Sequence, residues 1–508
     1  MGNPMTLVVG AGPTGMTAAI ELRRAGLDLR LIDKSDHMAR HSQALVMQAR
    51  TLEQLQRYGI AEEAIARGRK LTEARFFSNG KQIVSVDLTP IDSRYPYALF
   101  IPQSATEEIL SRCMESLGVE AERKVELVSL TQQDGIHATL RHADGQIEEV
   151  EPRWVIGCDG AHSTVREKTG TPFEGGSIDL FFFLGDMELE GRDVPGEELS
   201  IHVCDGDLVF MARLSSKLVR LIVVLHGEQD QKDNHELTIE DFQKAVDRVG
   251  VGVKILSAEW MTPFRVNDRQ AKHYRIGDVF LAGDASHIHS PVGGQGMNTG
   301  MQDIANLAWK MAAVARGADD TLLQSYEEER SAVGRALLRF TERGLKLATS
   351  SNPMIEKVRD VLAPIVTSLH PVQRKAIGFI SETAIEYRYS SVVSDCGGDG
   401  NLRAGDRMPD LSLRNGMSGL TLLSGWTKAR HRAFAVNASN LEAHLIRADL
   451  GQADVVQLKT NELDEKGLKV IGAESKLLIV RPDGYVGYRG PLAEEASWKA
   501  YARQDALA

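Results

Sequence analysis

Three clusters of glycines and carboxylates hold the positions of this 508-residue chain that could do chemistry. Gly10-Ala-Gly-Pro-Thr-Gly15 spaces its glycines as G-x-G-x-x-G, and Asp33 ends the apolar run that follows. Cys158-Asp-Gly-Ala-His-Ser-Thr-Val-Arg166 sets Asp159 before a glycine, and Gly283-Asp284 leads into the loop Pro291-Val-Gly-Gly-Gln-Gly-Met-Asn298. Glycine lets backbone approach a flat or charged ligand with no Cβ in the way, and the free N–H groups of a first helical turn favour anions. Asp33 and Asp284 can accept from ribose and ribityl hydroxyls. Such residues hold a phosphorylated cofactor rather than perform acid–base work. For residues 283–298 alone, a surface glycine loop with a capping aspartate is the plainer account, so the surrounding elements must decide.

Those elements have the required pattern. Thr6-Leu-Val-Val9 reads as a buried strand, a helix follows the glycine turn and stops at Gly26, and Leu29-Arg-Leu-Ile-Asp33 reads as a second parallel strand. In that setting Gly10 makes the turn, Gly12 admits a pyrophosphate, Gly15 lets helix and strand pack closely, and Asp33 reaches a ribose 2′-hydroxyl. Val279-Phe-Leu-Ala282 is a further buried strand. Met301, Ile304, Ala305, Ala308, Met311 and Ala312 recur at three and four residues, which predicts a helix with one apolar face directly after Asn298. Arg153-Trp-Val-Ile-Gly157 predicts a strand with Asp159-Gly160 at its carboxyl end, where parallel sheets bind ligands, although such a dipeptide is most often only a turn. The later part of 42–55 predicts a helix bearing Arg50 and Glu53, read from the residues as a solvated face with an internal ion pair. Pro102-Gln103 opens another helix, where Gln103 either faces a cofactor or caps the helix.

From about 176 to 268 the pattern changes. Leu180–Gly185, Leu208–Leu214 and Leu218–His226 are strand-like runs without long helices between them, which predicts an antiparallel sheet inserted between two halves of the cofactor domain. Gly227–Glu236 reads as a solvated loop. Residues 301–390 are expected to be mainly helical, including Thr321–Ala348. The last hundred residues read as a separate domain: Gly397–Gly400 as linker, Ala433–Val436 and Leu477–Val480 as core strands, and Arg481-Pro-Asp-Gly484 as a hairpin turn. A second strand-bounded G-x-G-x-x-G for a nicotinamide domain is absent.

Composition bounds the rest. Lys and Arg number 59 against 70 Asp and Glu, a net charge of −11, which argues against a nucleic-acid partner and supplies no polybasic membrane stripe. The four cysteines form no C-x-x-C pair, so neither a zinc site nor a disulfide framework is indicated, and a reducing cytoplasm is expected. No apolar run reaches the roughly 20 residues of a spanning helix, and no signal peptide is expected ahead of Thr6. The opening Met1–Thr6 matches a myristoylation pattern, but Thr6 already starts a core strand.

In order and separation the three motifs resemble those of the class A flavoprotein monooxygenases, the family of para-hydroxybenzoate hydroxylase, phenol hydroxylase and the aromatic polyketide hydroxylases. The similarity extends over nearly the whole chain, through Ala49–Glu53, Pro102-Gln103 with Glu107, and Phe264-Arg265 with Arg269. The tail, with Gly405-Asp-Arg-Met-Pro-Asp410 and Arg481–Gly484, resembles the thioredoxin-like domain of the phenol and polyketide hydroxylase branch; lacking C-x-x-C it should be redox-silent.

The resemblance implies an α/β fold: a discontinuous Rossmann-like FAD-binding domain (1–175 and 269–395, with substrate-sheet strands near 74–100), a substrate sheet over 176–268, and a thioredoxin-like domain over 400–508. It implies FAD rather than NAD in the glycine site, with NAD(P)H as co-substrate, and a cofactor set of Gly10, Gly12, Pro13, Thr14, Gly15, Asp33, Lys34, Gln43, Arg50, Gln103, Asp159, Asp284, Pro291, Gly294, Gly296, Met297 and Asn298. Gln43 departs from the family in standing where many relatives carry Arg or Lys, with Arg40 nearby to compensate. The implied reaction uses NAD(P)H and O2 to hydroxylate a phenolic or polycyclic aromatic ring through a flavin C4a-hydroperoxide, in a monomer or homodimer with no metal. Since the flavin carries the chemistry, no catalytic side chain is assigned. His287 and His289 are read first as structural hydrogen-bonding groups. Tyr97 and the strand faces around Phe210 and Met211 are candidates for the substrate pocket, alternation allowing either face. Baeyer–Villiger insertion or epoxidation on the same scaffold, and a flavin-bound ligand carrier with little turnover, are the competing readings; flavin halogenation is disfavoured because Trp-x-Trp-x-Ile is absent.

Overall fold

Thr6–Val9 has every residue buried, and it lies near the middle of a six-stranded sheet. The computed structural model describes residues 6–38, 44–178, 180–225, 237–290, 293–350, 352, 370–414, 422–423, 426 and 429–505. Leu29–Asp33 and Trp154–Gly157 flank Thr6–Val9 in parallel, and Val279–Leu281 pairs with Trp154–Gly157, also in parallel, with Val155 opposite Val279. Ala121–Arg123 closes one edge, and Arg275–Ile276, the antiparallel strand, closes the other. Parallel strands covered on both faces read as continuous apolar runs, which is why they stood out in the sequence.

The helices that frame this sheet and its neighbours are α1 (Pro13–Arg24), α2 (Ala49–Tyr58), α3 (Ala61–Arg67), α4 (Gln103–Ser116), α5 (Thr164–Thr169), α6 (Ile239–Arg248), α7 (Gly296–Ala315), α8 (Thr321–Ala348) and α9 (His370–Ile380). α1 starts with Pro13, whose missing N–H would be unpaired in a first turn anyway. α7 is buried nearly throughout.

A seven-stranded sheet stands against the first. In order, its strands are Val253–Phe264, Phe181–Gly191, Leu218–Leu225, Asp207–Arg213, Leu199–Cys204, Glu73–Ser78 and Lys81–Asp87. One face, with Phe183, Val209, Met211, Leu221 and Val223, packs on Phe242 and Val246 of α6. The opposite face, with Phe182, Ile201, Leu208 and Val224, packs on Leu345 of α8.

Three details differ from the sequence reading. The sheet is antiparallel except where Leu199–Cys204 meets Glu73–Ser78 in parallel, because those strands come from distant parts of the chain and no hairpin joins them. α6, a 10-residue helix, lies inside the region read as strands without long helices between them. Ala98–Phe100 leaves this sheet and pairs instead with Val46–Met47 and Arg69–Leu71.

The C-terminal residues build a five-stranded mixed sheet in the order Ser394–Asp395, Val486–Pro491, Lys476–Val480, Arg432–Val436 and Asp454–Leu458, with helices Asn440–Asp449 and Glu495–Gln504 packed on it. The stretch read as a linker is fastened to this sheet: Asp399 Oδ2 accepts from Ala473 N at 2.6 Å, and its carbonyl accepts from Lys476 Nζ at 2.9 Å. Met1–Met5, Arg40, Gln43, Gly227–Glu236 and Pro291 lie outside the described residues.

Candidate cofactor site

The three glycines of the first turn are required for three different reasons. Gly10 has φ +100°, and a Cβ there would come within 2.4 Å of the Cys158 carbonyl. A Cβ on Gly15 would lie 1.8 Å from the Gly10 carbonyl, so α1 could not seat against the turn. Gly12 is the opposite case: a Cβ there meets nothing within 4 Å. The fold itself does not require glycine there, and the open space beside it is the cleft considered as a cofactor seat.

The N-termini of α1 and α7 converge on that cleft. A Cβ on Gly300 would lie 2.6 Å from Thr14 Oγ1 and 2.9 Å from Gly283 Cα, so α1, α7 and the Gly283-Asp284 loop touch at one point. Asn298 fixes the first turn of α7: its amide donates to the Val46 and Gly294 carbonyls at 2.8 Å each, and its Oδ1 accepts from Gln48 N at 2.8 Å. Gly294, at φ +63°, leaves no room for a Cβ against Val46. Gly296 opens α7, and Met297 is half-buried against the main core.

Asp284 has no hydrogen-bond partner among the described residues and is exposed. Protein nonetheless surrounds it on most sides, as expected at the floor of an open cleft; this crowding pushes its pKa up, and His287 offsets part of that. In either charge state an oxygen is left to accept from a ligand. Asp33 is already half engaged, with Oδ2 accepting from Ala11 N at 2.6 Å and Oδ1 from Ser35 N at 2.7 Å. Lys34 beside it is exposed. A Cβ-free cradle at Gly12, two helix N-termini and an unpartnered carboxylate suit the pyrophosphate and polyol of FAD.

Other expected positions brace the cleft. Asp159 accepts from Ser163 Oγ at 2.5 Å and Val165 N at 3.1 Å, so it caps α5; burial raises its pKa and those two bonds oppose the rise. Gln103 accepts from Ala44 N at 3.1 Å and donates to Glu107 at 2.8 Å, tying α4 to the chain ahead of Val46–Met47. Arg50 does not join them. Its guanidinium donates to Glu53 at 2.8 Å and to the Asp483 carbonyl at 2.5 Å, and it covers the Tyr485 ring. The expected ion pair with Glu53 is present, but the face is buried against the C-terminal sheet rather than solvated. The expectation that Arg50 contacts the cofactor finds no support in this geometry. A small cavity at that junction is lined by Arg50, Arg57, Gln302, Asn306, Tyr387 and Tyr485.

His287 is structural, with Nε2 2.9 Å from Asp303 and almost no exposure. His289 Nδ1 lies 2.8 Å from the Ser290 carbonyl, and burial, with His287 adding to it, holds its pKa down to about 4, so it is neutral near pH 7.

Sequence reasoning missed the groups that hold this loop from behind. Asp303 accepts from Gly283 N at 3.0 Å and from Arg330 Nε at 2.6 Å. Glu382, with φ +61°, accepts from Thr299 at 2.8 Å and from Gln302, and burial pushes its pKa up to about 8. A signal was present: Thr299, Asp303, Asn306 and Lys310 recur at helical spacing along an otherwise apolar helix, a stripe that only buried polar partners can satisfy.

The seven-stranded sheet resolves the question of faces. Phe210 lies on the α8 side and Met211 on the α6 side. Register places Ile222, Phe210, Ile201 and Phe76 in one row across four strands, and Phe76, Phe210 and Ile222 are only half-buried. In the next row Arg220 pairs with Asp186 at 2.7 and 2.8 Å, and Trp260 Nε1 donates to the same carboxylate at 2.7 Å. Tyr97 is buried, with Lys70 Nζ 4.9 Å from its ring centroid.

A family model described as an FAD binding domain matches residues 4–341. An aromatic compound monooxygenase of Bacillus subtilis is 32% identical over 487 residues, covering 95% of this chain and 93% of that protein. Rifampicin monooxygenase of Streptomyces venezuelae is 34% identical over 413 residues, 81% of this chain and 83% of its own. The solved structure of OxyS anhydrotetracycline hydroxylase from Streptomyces rimosus superposes with a TM-score of 0.82 at 30% identity, covering 99% of this chain and 98% of that one.

Proposed function

This chain belongs to the FAD binding domain family, among the flavin-dependent aromatic monooxygenases, and on that premise we propose a polycyclic phenol as its substrate and the cleft at Gly12, Thr14 and Asp284 as its flavin seat. Bound FAD supplies the redox chemistry, accepting reducing equivalents from NAD(P)H and activating dioxygen so that one oxygen atom reaches the aromatic ring.

The chain's own residues bind and orient. With FAD bound, the first-turn N–H groups of α1 and α7 would neutralise the pyrophosphate, and Asp284 and Asp33 would take the polyol and ribose hydroxyls. Asn298, donating to the Val46 and Gly294 carbonyls, holds the start of α7 and so fixes the direction of those N–H groups. Asp159 and Gln103 shape the rim through α5 and α4. The packed wall formed by Phe182, Ile201 and Leu345 keeps water from one side of the reaction space.

The observation that carries the substrate reading is the half-buried row Phe76, Phe210 and Ile222 on the sheet face toward α8. Phe76 and Ile222 stand three strands apart, about 14 Å at the ordinary strand spacing. Such a shelf is far longer than one benzene ring and suits fused rings; its polar end, at Asp186, Arg220 and Trp260, suits hydroxyl or carbonyl substituents. Rifampicin and anhydrotetracycline, named for the relatives, are substrates of that kind of size.

For the chain's organisation we take 1–175 with 269–395 as the flavin unit, 176–268 as the substrate sheet and 400–508 as a redox-silent thioredoxin-like unit. Cytoplasmic residence is part of the same reading.

The test is the visible spectrum of purified protein, followed by NAD(P)H oxidation with single-ring phenols and polycyclic phenols compared side by side. Oxidation stimulated by the polycyclic set, with product heavier by one oxygen, is expected. Stimulation by single-ring phenols alone overturns the substrate class, and tight ligand binding without turnover overturns the enzymatic reading.

A further inference from the structure

The hairpin turn Arg481-Pro-Asp-Gly484 is not a solvent-facing one: Arg481 is fully buried and Asp483 nearly so. Arg481 donates to Glu329 of α8 at 2.7 and 2.9 Å and also binds Asp483. Asn306 of α7 donates to Glu329 at 2.5 Å and to Asp483 at 3.2 Å, and Lys310 reaches Glu329 at 2.9 Å. The next residue along α8, Arg330, extends the contact toward the cofactor cleft. It donates to the Tyr387 hydroxyl at 2.8 Å, to the Thr299 carbonyl at 3.1 Å and to Asp303 at 2.6 Å. Asp303 in turn accepts the amide of Gly283. Tyr387 closes the circuit: its ring packs on Tyr485 at 4.3 Å between centroids, and its amide donates to the Gly405 carbonyl at 2.7 Å.

Well-packed apolar residues would hold two units together at least as firmly as buried ion pairs, whose desolvation cost is large. What charges and bidentate bonds add is direction, since each fixes an angle as well as a distance. Here that direction ends at the backbone amide beside Asp284.

We propose that the C-terminal turn is a positioning element of the flavin site: Arg481, Tyr485 and Tyr387 hold α8 so that Arg330 and Asp303 keep the Gly283-Asp284 loop in its cofactor-accepting shape. Arg481, Tyr387, Arg330 and Asp303 act through one another and do not themselves touch the flavin. The inference rests on the flavin reading of the cleft given above.

Tyr387→Phe, Arg481→Met and Arg481→Lys test it in the full-length chain. Amide hydrogen exchange over residues 279–290 is followed in apoprotein, and FAD affinity by flavin fluorescence quenching. Tyr387→Phe removes one hydroxyl from the relay, so faster exchange over 279–290 and about three- to tenfold weaker FAD binding are expected. At saturating FAD, a larger share of NAD(P)H oxidation should end in hydrogen peroxide. Arg481→Lys should recover part of what Arg481→Met loses. If Arg481→Met fails to fold, Tyr387→Phe decides alone. Faster exchange confined to 476–491 with FAD affinity within about twofold of the parent overturns the proposal. A parent protein that FAD cannot reconstitute overturns the flavin reading instead.

Discussion

Thr14 and Gly300 meet so closely that a Cβ on Gly300 would lie 2.6 Å from the Thr14 hydroxyl. That contact sets the N-termini of α1 and α7 side by side, and each contributes roughly half a positive charge at its unpaired N–H groups. On the flavin reading proposed above, the pyrophosphate would be met by two helix ends rather than one. The fusion is steric, so it is present before any cofactor binds.

Gly12 and Gly15 should separate binding from folding. Gly12→Val places its side chain in open space, so stability should change by no more than about 0.5 kcal/mol while FAD affinity falls by about a hundredfold or more. Gly15→Val collides with the Gly10 carbonyl and should cost about 3 kcal/mol or more, or abolish folding. Thermal melts of apoprotein with flavin titrations check both.

Asp284→Ala removes a carboxylate that has no partner among the described residues. Apoprotein stability should be nearly unchanged. FAD affinity should drop by about 1.5–3 kcal/mol, the value of a hydrogen bond to a charged group. A melting temperature that falls while FAD affinity holds would place Asp284 in the fold rather than in the site.

Phe210 and Met211 are neighbours with opposite duties. Phe210→Ala should raise the KM for a polycyclic ligand several-fold with modest loss of stability, since the ring is only half-buried. Met211 is fully buried against the α6 cluster, and Met211→Ala should cost about 2–5 kcal/mol with ligand affinity unchanged. Paired melts and ligand titrations distinguish the faces.

Glu382 makes stability depend on pH in an unusual direction for a carboxylate. Burial raises its folded pKa to about 8, above that of the unfolded chain, so its contribution is full below about pH 4 and is lost as pH rises through about 8. The parent should therefore melt lower at pH 8.5 than at pH 6.5, and Glu382→Gln should flatten that slope. Equal slopes in both proteins would show that Glu382 ionises freely in the folded state.

The strand–turn–helix units were legible because each is local: Thr6–Val9 with α1, and Val279–Leu281 with its loop and α7, announce themselves within about 35 residues. α8 matched its expected span, Thr321–Ala348, because an amphipathic pattern that long admits no other reading. What stayed hidden was pairing at long range. Arg50 and Glu53 spelled an ion pair, but nothing near them said that Asp483 and Tyr485 would cover it. Asp303 and Arg330 look like ordinary helical charges until α7 and α8 are packed, and the parallel pairing of Glu73–Ser78 with Leu199–Cys204 joins segments more than a hundred residues apart. The sheet faces of Phe210 and Met211 likewise needed the helices that cover them.

The strand beside Trp154–Gly157 is supplied only at Val279, after the whole second sheet has been made. During synthesis the first glycine turn therefore emerges long before its neighbouring helix end, Asp284 or Asn298 exists. A growing chain can form Thr6–Val9, α1 and Leu29–Asp33 but not a cleft closed by α7. On the flavin reading proposed above, cofactor capture belongs to the end of folding, and translation stalled between about residues 160 and 278 leaves an exposed edge at Trp154–Gly157, a strand built to be buried.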